Sequence, residues 1–258
     1  MRHVEKLAKR LMEALFPGAR LEYQDDQSTS VPDFYLVQDS VKCGVVEVTS
    51  SVDQAIIEGT AALRKSSAGV IPRHLCKHDW LVFPNKHAMI RMIASDADRY
   101  LSEIERDGLE RFVSGKDSHY SSVLRISKDL GVEGGFVFCT KKPGSIYISR
   151  PGGNFNRLGP SVAVKAGLAE AWKADNRKKL ICSAAGSRHL AVHIDISNSH
   201  AWTSLHDFDP PEEAPDLPSA ITDLWLFAET PAPDQCTVWH ATQVGWRNLG
   251  IVVLTRTY

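Results

Sequence analysis

Apolar and polar positions alternate along this chain with two different periods, and the period changes about every dozen residues. Val4, Leu7, Ala8, Leu11, Met12 and Leu15 recur every three or four positions, which predicts a helix over 3–16, stopped by Pro17-Gly18. Short strand-like runs follow in "RLEYQ", "DFYLV" and "CGVVEVT". The stretch "SSVDQAIIEGTAALRKSSAG" returns to the helical period, with Ser51 or Asp53 as its cap and Gly69 just beyond its end. "DWLVFP" reads as a strand, and "KHAMIRMIASDADRYLSEIERDGLERF" as a long charged helix. Residues 113–130 follow neither period. "GGFVFCT" and "SIYISR" predict strands on either side of a Lys141-to-Gly144 turn. "SVAVKAGLAEAWKADNRKKLICSA" predicts one helix and "RHLAVHIDIS" a strand. Beyond the acidic, Pro-rich loop "FDPPEEAPDLPS", the runs "DLWLFAE", "CTVWHAT" and "GIVVLT" predict three more strands.

Strands mixed with helices in this way predict an α/β fold, a mixed β-sheet flanked by helices. "CGVVEVT" is apolar on both faces, as a central strand covered from both sides requires. The pattern shows no internal repeat and suggests a single domain over 1–258, with a helical elaboration at about 86–130. A chain of 258 residues is long enough for a sizeable core, and 43% hydrophobic with 24% charged residues is an ordinary globular composition. The net charge of −1 removes the overall basicity that would itself argue for nucleic acid, although a local basic patch remains compatible with it. No apolar run approaches the roughly 20 residues of a membrane span. The charged N-terminus lacks a signal-peptide block, and five scattered cysteines without a CxxC read as reduced thiols, so the expected location is the cytoplasm, with no membrane partner.

Two acids stand where strand residues are expected. Asp33 follows Pro32 and leads an apolar run, and Glu47 interrupts a valine run. If "DFYLV" and "CGVVE" form an antiparallel hairpin around a five-residue loop at 38–42, centred on Ser40, Asp33 lies opposite Glu47. Adjacent carboxylates without a cation repel each other and are costly to bury. A divalent ion removes that cost, and oxygen ligands suit Mg2+ or Mn2+. Alternation puts Thr49 on the face of Glu47, with Val46 and Val48 on the other.

The sequence Pro32-Asp33, thirteen intervening residues, then Glu47-Val48-Thr49 resembles the PD-(D/E)xK nuclease superfamily, the restriction-endonuclease-like fold. The order of a preceding helix, the hairpin, a following helix and another strand fits that resemblance over about residues 1–85, to which the later strands are compatible additions. The resemblance implies a metal-dependent nuclease that hydrolyses phosphodiester bonds, in DNA before RNA, in a setting of bacterial defence or DNA processing. A homodimer or a partner protein of a defence system would suit that setting. It implies Asp33, Glu47 and the carbonyl of Val48 as metal ligands. The family's lysine falls on Thr49, which can orient a water but brings no charge. The resemblance then turns to a cation on a neighbouring helix, with Lys65, or Arg64 beside it, as the candidate, and to Glu5 or Glu13 of the first helix as an outer acid. The alternative is a module of the same fold that binds nucleic acid or protein without cleaving.

Other constellations are weaker. His74, Cys76 and His78 have the spacing of a zinc trio but lack a nearby fourth ligand. His78-Asp79 and His206-Asp207 lack the all-helical setting that HD phosphohydrolases need. His189, His193 and Asp195 share a strand face and read first as ordinary exposed polarity, second as the rim of a cleft. "QSTS" lacks the paired glutamates of ADP-ribosyltransferases. "SRPGGNFNRLG" is no Walker loop, and cradling phosphate through Arg150 or Arg157 is secondary to its reading as a connector. The cations of "NRKKL" fit the C-terminal end of a helix dipole. The six tryptophans read as core residues.

Overall fold

The computed structural model describes residues 1–24, 31–65, 69–137, 144–149, 152, 159–182 and 186–254. It is an α/β structure of helices and two mixed sheets, as the pattern predicts. The sequence pattern suggested one domain elaborated at 86–130; by contacts the chain divides into two compact units, Met1–Val52 with Phe155–Tyr258, and Asp53–Asn154.

The first unit is built on seven strands: β1 (Ala19–Tyr23), β2 (Phe34–Gln38), β3 (Val41–Ser51), β9 (Ser187–Ile194), β10 (Asp223–Glu229), β11 (Gln235–Thr242) and β12 (Gly245–Val253), in that spatial order. β3–β9 and β9–β10 run parallel and the other pairs antiparallel. β3 and β9 are covered on both faces, which accounts for their near-continuous apolar runs. Helix α1 (His3–Leu15) lays Leu7, Ala8, Leu11 and Met12 against Phe34, Val46, Val48 and Phe227 on one face. On the other, α5 (Ser161–Ala171), α6 (Ala174–Ile181) and α7 (Ser199–Asp207) close over Val45, Leu190, Val192, Leu224 and Leu226.

The single helix expected over 161–184 is in fact two, α5 and α6, broken at Trp172-Lys173. Lys173 leaves helical geometry at φ −62°, ψ 132°. Its ammonium meets the Glu170 carboxylate at 2.6 Å, while the buried side-chain amide of Asn176 donates to the Glu170 carbonyl at 2.9 Å. The same carbonyl also accepts the backbone N–H of Lys173 at 3.2 Å, so the chain turns without stranding this acceptor.

The second unit has a five-stranded sheet in the order β4 (Val70–Pro72), β8 (Ser145–Ile148), β5 (Trp80–Pro84), β7 (Val132–Val137), β6 (Arg111–Val113). Helices α2 (Gln54–Lys65), α3 (Ile90–Arg106) and α4 (Ser121–Leu130) share one core with Trp80, Val82, Phe112, Val132 and Ile146. Asp53 caps α2, accepting from the backbone N–H of Ala55 at 3.1 Å, whereas Ser51 belongs to β3. The segment without clear period, 113–130, supplies α4, which ends on Gly131 in the left-handed region at φ 71°. The strands expected around the Lys141-to-Gly144 turn both form, but they do not pair with each other. β5 lies between them, parallel to β8 and antiparallel to β7.

Candidate active site

The hairpin β2–β3 decides where the two acids meet. Phe34 pairs with Val46, Tyr35 with Val45 and Leu36 with Gly44, and one further step in this register brings Asp33 opposite Glu47. The five-residue loop expected at 38–42 is tighter in the fold. Asp39 and Ser40 form a two-residue turn, with φ 50° and 65°, the left-handed pair that such hairpins require. The register then shifts at Cys43, between the Val37–Lys42 and Leu36–Gly44 pairs. Turn and bulge together preserve the pairing at the acids.

Asp33 precedes the first residue of β2, so its side chain takes the place a ladder carbonyl would otherwise hold. Its Oδ2 accepts the backbone N–H of Val48 at 2.8 Å. Burial is the largest influence on this carboxyl and raises its pKa, against the Val48 N–H and the Lys179 charge that pull it down; Glu5 raises it further. Glu47 is more enclosed, with its side chain 3% exposed. Its Oε1 accepts from Lys179 Nζ at 2.6 Å, and its buried Oε2 has no hydrogen-bond partner among the described residues. Burial first, and the Asp33 charge second, push the Glu47 carboxyl up to about 7 in spite of Lys179. The same pair of carboxylates raises the pKa of the Lys179 ammonium, against the effect of its own burial.

Lys179 stands in the last turn of α6, and the break at Trp172-Lys173 sets the direction of that helix. Thr49, two residues past Glu47 on the same face, donates its hydroxyl to Glu170 Oε2 at 3.0 Å, and Glu170 is itself held by Lys173. Glu5 is buried at 3% exposure in the first turn of α1, where Arg2 closes on its carboxylate through both side chain and backbone. The fields of Arg2, Glu5, Asp33, Glu47 and Lys179 act on one another, which marks them as one electrostatic cluster.

Of the residues singled out in the sequence, Asp33, Glu47 and Thr49 come together, and Glu5 joins them from α1. Val48 gives its amide to Asp33, with its side chain in the core. Glu13 serves elsewhere, accepting from the N–H of Leu21 at 3.1 Å and pairing with Lys9. Lys65 is an exposed residue at the end of α2 in the other unit, and the cation in contact with Glu47 is Lys179. Sequence reasoning missed Lys179 and Glu170. Lys179 lies 132 residues from Glu47 in a helix end where cations are common, so no local spacing marks it.

The donor set offers two hard carboxylates, one with an unpartnered buried oxygen, that burial, and for Glu47 also the Asp33 charge, holds toward protonation, a set compatible with a divalent ion. Among the described residues no group of three or more His, Cys, Asp and Glu is arranged to hold a metal. Mg2+ is commonly held by one or two carboxylates, with waters and substrate phosphates completing its shell.

The constellation of His74, Cys76 and His78 is tied down by hydrogen bonds to α3. The carboxylate of Asp98 collects the N–H groups of His74, Leu75 and Cys76, and Cys76 donates its thiol to the Asp98 carbonyl at 3.2 Å. Burial then pushes that thiol far up. The exposed polarity expected of β9 is overturned: His189 and His193 are buried, at 3% and 5% exposure. His189 accepts from Trp225 Nε1 at 3.2 Å and meets Ser187 Oγ at 2.9 Å. "QSTS", Arg150 and Arg157 lie outside the described residues. No described helix is long and apolar enough to cross a membrane. Compared with protein-family models, curated proteins and solved structures, the chain matches none.

Proposed function

We propose that this chain is a Mg2+- or Mn2+-dependent nuclease of the PD-(D/E)xK type, hydrolysing phosphodiester bonds in DNA before RNA. The observation that carries the reading is Glu47: a buried carboxylate beside Asp33, with one oxygen on Lys179 and the other unpartnered. Asp33 and Glu47, with the Val48 carbonyl, would hold the ion. When bound, it would polarise the scissile phosphate and lower the pKa of an attacking water.

Lys179 takes the part of the lysine that Thr49 replaces. Its ammonium is fixed on Glu47 by a 2.6 Å contact and stands ready for negative charge developing on a phosphoryl group. Thr49 positions rather than charges the site, through its hydroxyl bond to Glu170. Glu5 adds negative potential behind Asp33 and favours a cation between the acids. Bacterial defence or DNA processing is the setting this reading suits.

A second reading, a non-cleaving module that binds nucleic acid or protein, draws on one observation. Lys179 already neutralises Glu47, and the Thr49 hydroxyl is committed to Glu170. Thr49→Lys separates the two. In an enzyme served by Lys179, the added lysine crowds the site and leaves cleavage unimproved. If the wild type is inert with every substrate and metal while Thr49→Lys cuts, the second reading stands.

A further inference from the structure

Strands β9 and β10 run parallel, and their register sets Phe227 level with His193. Continued past the end of β9 at Ile194, that register brings Asp195 level with Glu229, the last residue of β10. A cavity of about 450 Å³ opens there, at the carboxyl ends of two parallel strands, a region where open α/β sheets take ligands. His193, Asp195 and Glu229 line it, with Ile196, Trp202 and Pro231 as its apolar wall. No Lys or Arg is among its lining residues, and neither are Asp33, Glu47 and Thr49. Trp202 packs on His206, with ring centroids 4.0 Å apart, so the indole serves as wall and not as a free platform.

His193 is the unusual member. Its side chain is 6% exposed, yet the ring makes no hydrogen bond among the described residues. Nδ1 is buried without a partner, and Nε2 stands 3.8 Å from Glu229 Oε2, beyond hydrogen-bond reach. Polar groups buried this deeply are nearly always paired. Burial holds the imidazole below its ordinary pKa, against the charges of Asp195 and Glu229, so one ring nitrogen is an acceptor at neutral pH. The acids keep capacity to spare. Asp195 Oδ1 accepts the Ser197 N–H at 2.7 Å, and Glu229 Oε1 meets His3 Nε2 at 3.4 Å, which leaves the second oxygen of each carboxylate without a hydrogen bond among the described residues.

Two carboxylates and a neutral imidazole on one cavity call for a ligand with N–H groups and positive charge. A primary ammonium has three N–H donors. Set about 2.9 Å from both His193 Nε2 and Glu229 Oε2, it bridges the 3.8 Å gap that the two residues leave open, and its third N–H remains for Asp195. A water in the same place would bridge the gap but leave two neighbouring carboxylates without a compensating charge. The apolar wall then takes the methylenes of the ligand.

We infer that this cavity binds the primary ammonium group of a small aliphatic amine, held by His193, Glu229 and Asp195, with its chain against Ile196 and Pro231. The inference is independent of the nuclease reading.

The test titrates the full chain, in metal-free buffer at pH 7.5, with n-butylammonium, with 1-butanol, which has the same chain and no charge, and with Mg2+. Assigned histidine ring signals in NMR spectra report occupancy. Butylammonium is expected to bind saturably and to shift the His193 signals, and 1-butanol to leave them in place. Glu229→Gln should weaken butylammonium binding about 10-fold, the scale of one charge-assisted hydrogen bond, and Asp195→Asn should act in the same direction. Glu47→Gln, outside the cavity, should leave this binding unchanged. Equal unfolding midpoints identify variants that have kept the fold, and Glu229, with its side chain 47% exposed, is the safer of the two substitutions. No saturable binding by the wild type would assign the gap to water and overturn the inference. Equal binding of 1-butanol would reduce the cavity to an apolar pocket, and wild-type affinity in both Glu229→Gln and Asp195→Asn would remove the acids from it; either overturns the inference. Mg2+ that shifts the His193 signals in Glu47→Gln, and displaces butylammonium, would make this a metal site instead.

Discussion

Glu47 is charged at a cost. Its carboxyl titrates near 7 in the fold, against 4.5 in its ordinary state. Between those values the folded chain keeps a proton that the unfolded chain has lost, so this residue's contribution to stability falls as pH rises through the window. Above about 7 the full cost of an ionised, buried carboxylate is borne. Glu47→Gln is therefore predicted to raise the thermal midpoint by a few degrees at pH 8 and to leave it nearly unchanged at pH 5. A drop at pH 8, measured by thermal unfolding, would show that the Lys179 ion pair outweighs burial and the Asp33 charge. Ligation needs the deprotonated form, so apparent Mn2+ affinity should fall about tenfold for each pH unit below 7. A Mn2+ titration that is flat between pH 5.5 and 7 would remove Glu47 from the ligand set. Lys179→Ala should slow cleavage by about 10²- to 10³-fold, the scale of losing one preorganised charge. Thr49→Ala should cost less, and Lys65→Ala nothing measurable in the same single-turnover assay. A Lys65 effect larger than that of Lys179 would reverse the assignment of the cation.

At the scale of elements, the joint between α5 and α6 aims Lys179. Asn176 closes it by a buried hydrogen bond to the Glu170 carbonyl. Asn176→Ala leaves that carbonyl with only the Lys173 N–H, at 3.2 Å, and should cost about 1 kcal/mol in denaturant unfolding. It should also lower cleavage more than a surface substitution of equal stability cost, since α6 loses its fixed direction. This joint was not legible in the sequence. "LAEAWKADNRKKL" keeps good helix formers throughout, and at the break Glu170 is held by Lys173, Asn176 and, from far earlier in the chain, Thr49. The hairpin was legible, because its register follows from alternation and a polar turn, even though a bulge at Cys43 and a two-residue turn replace the longer loop. β7 and β8 formed where expected, but the strand between them comes from far earlier in the chain, which no local pattern reveals.

Over the whole molecule, the α/β class follows from alternating periods, and Asp33 and Glu47 meet because one hairpin brings them together. The rest of the site comes from residues remote in sequence: Glu5 from α1, and Glu170 and Lys179 from the helices before β9. A sequence pattern registers a pair on adjacent strands; a cation delivered 132 residues later is a product of packing. The division into two units was likewise silent in the pattern, since 53–154 leaves and re-enters the first unit without any compositional break. The central claim is that the Asp33–Glu47–Lys179 cluster cleaves phosphodiester bonds with a divalent ion. Its most direct test is end-labelled single- and double-stranded DNA and RNA incubated with wild type and Glu47→Gln in Mn2+, Mg2+ or EDTA. The account predicts cleavage by the wild type in Mn2+ or Mg2+, none in EDTA, and none by a folded Glu47→Gln. Cleavage that persists in Glu47→Gln, or a wild type that cuts no substrate with either ion, would contradict it.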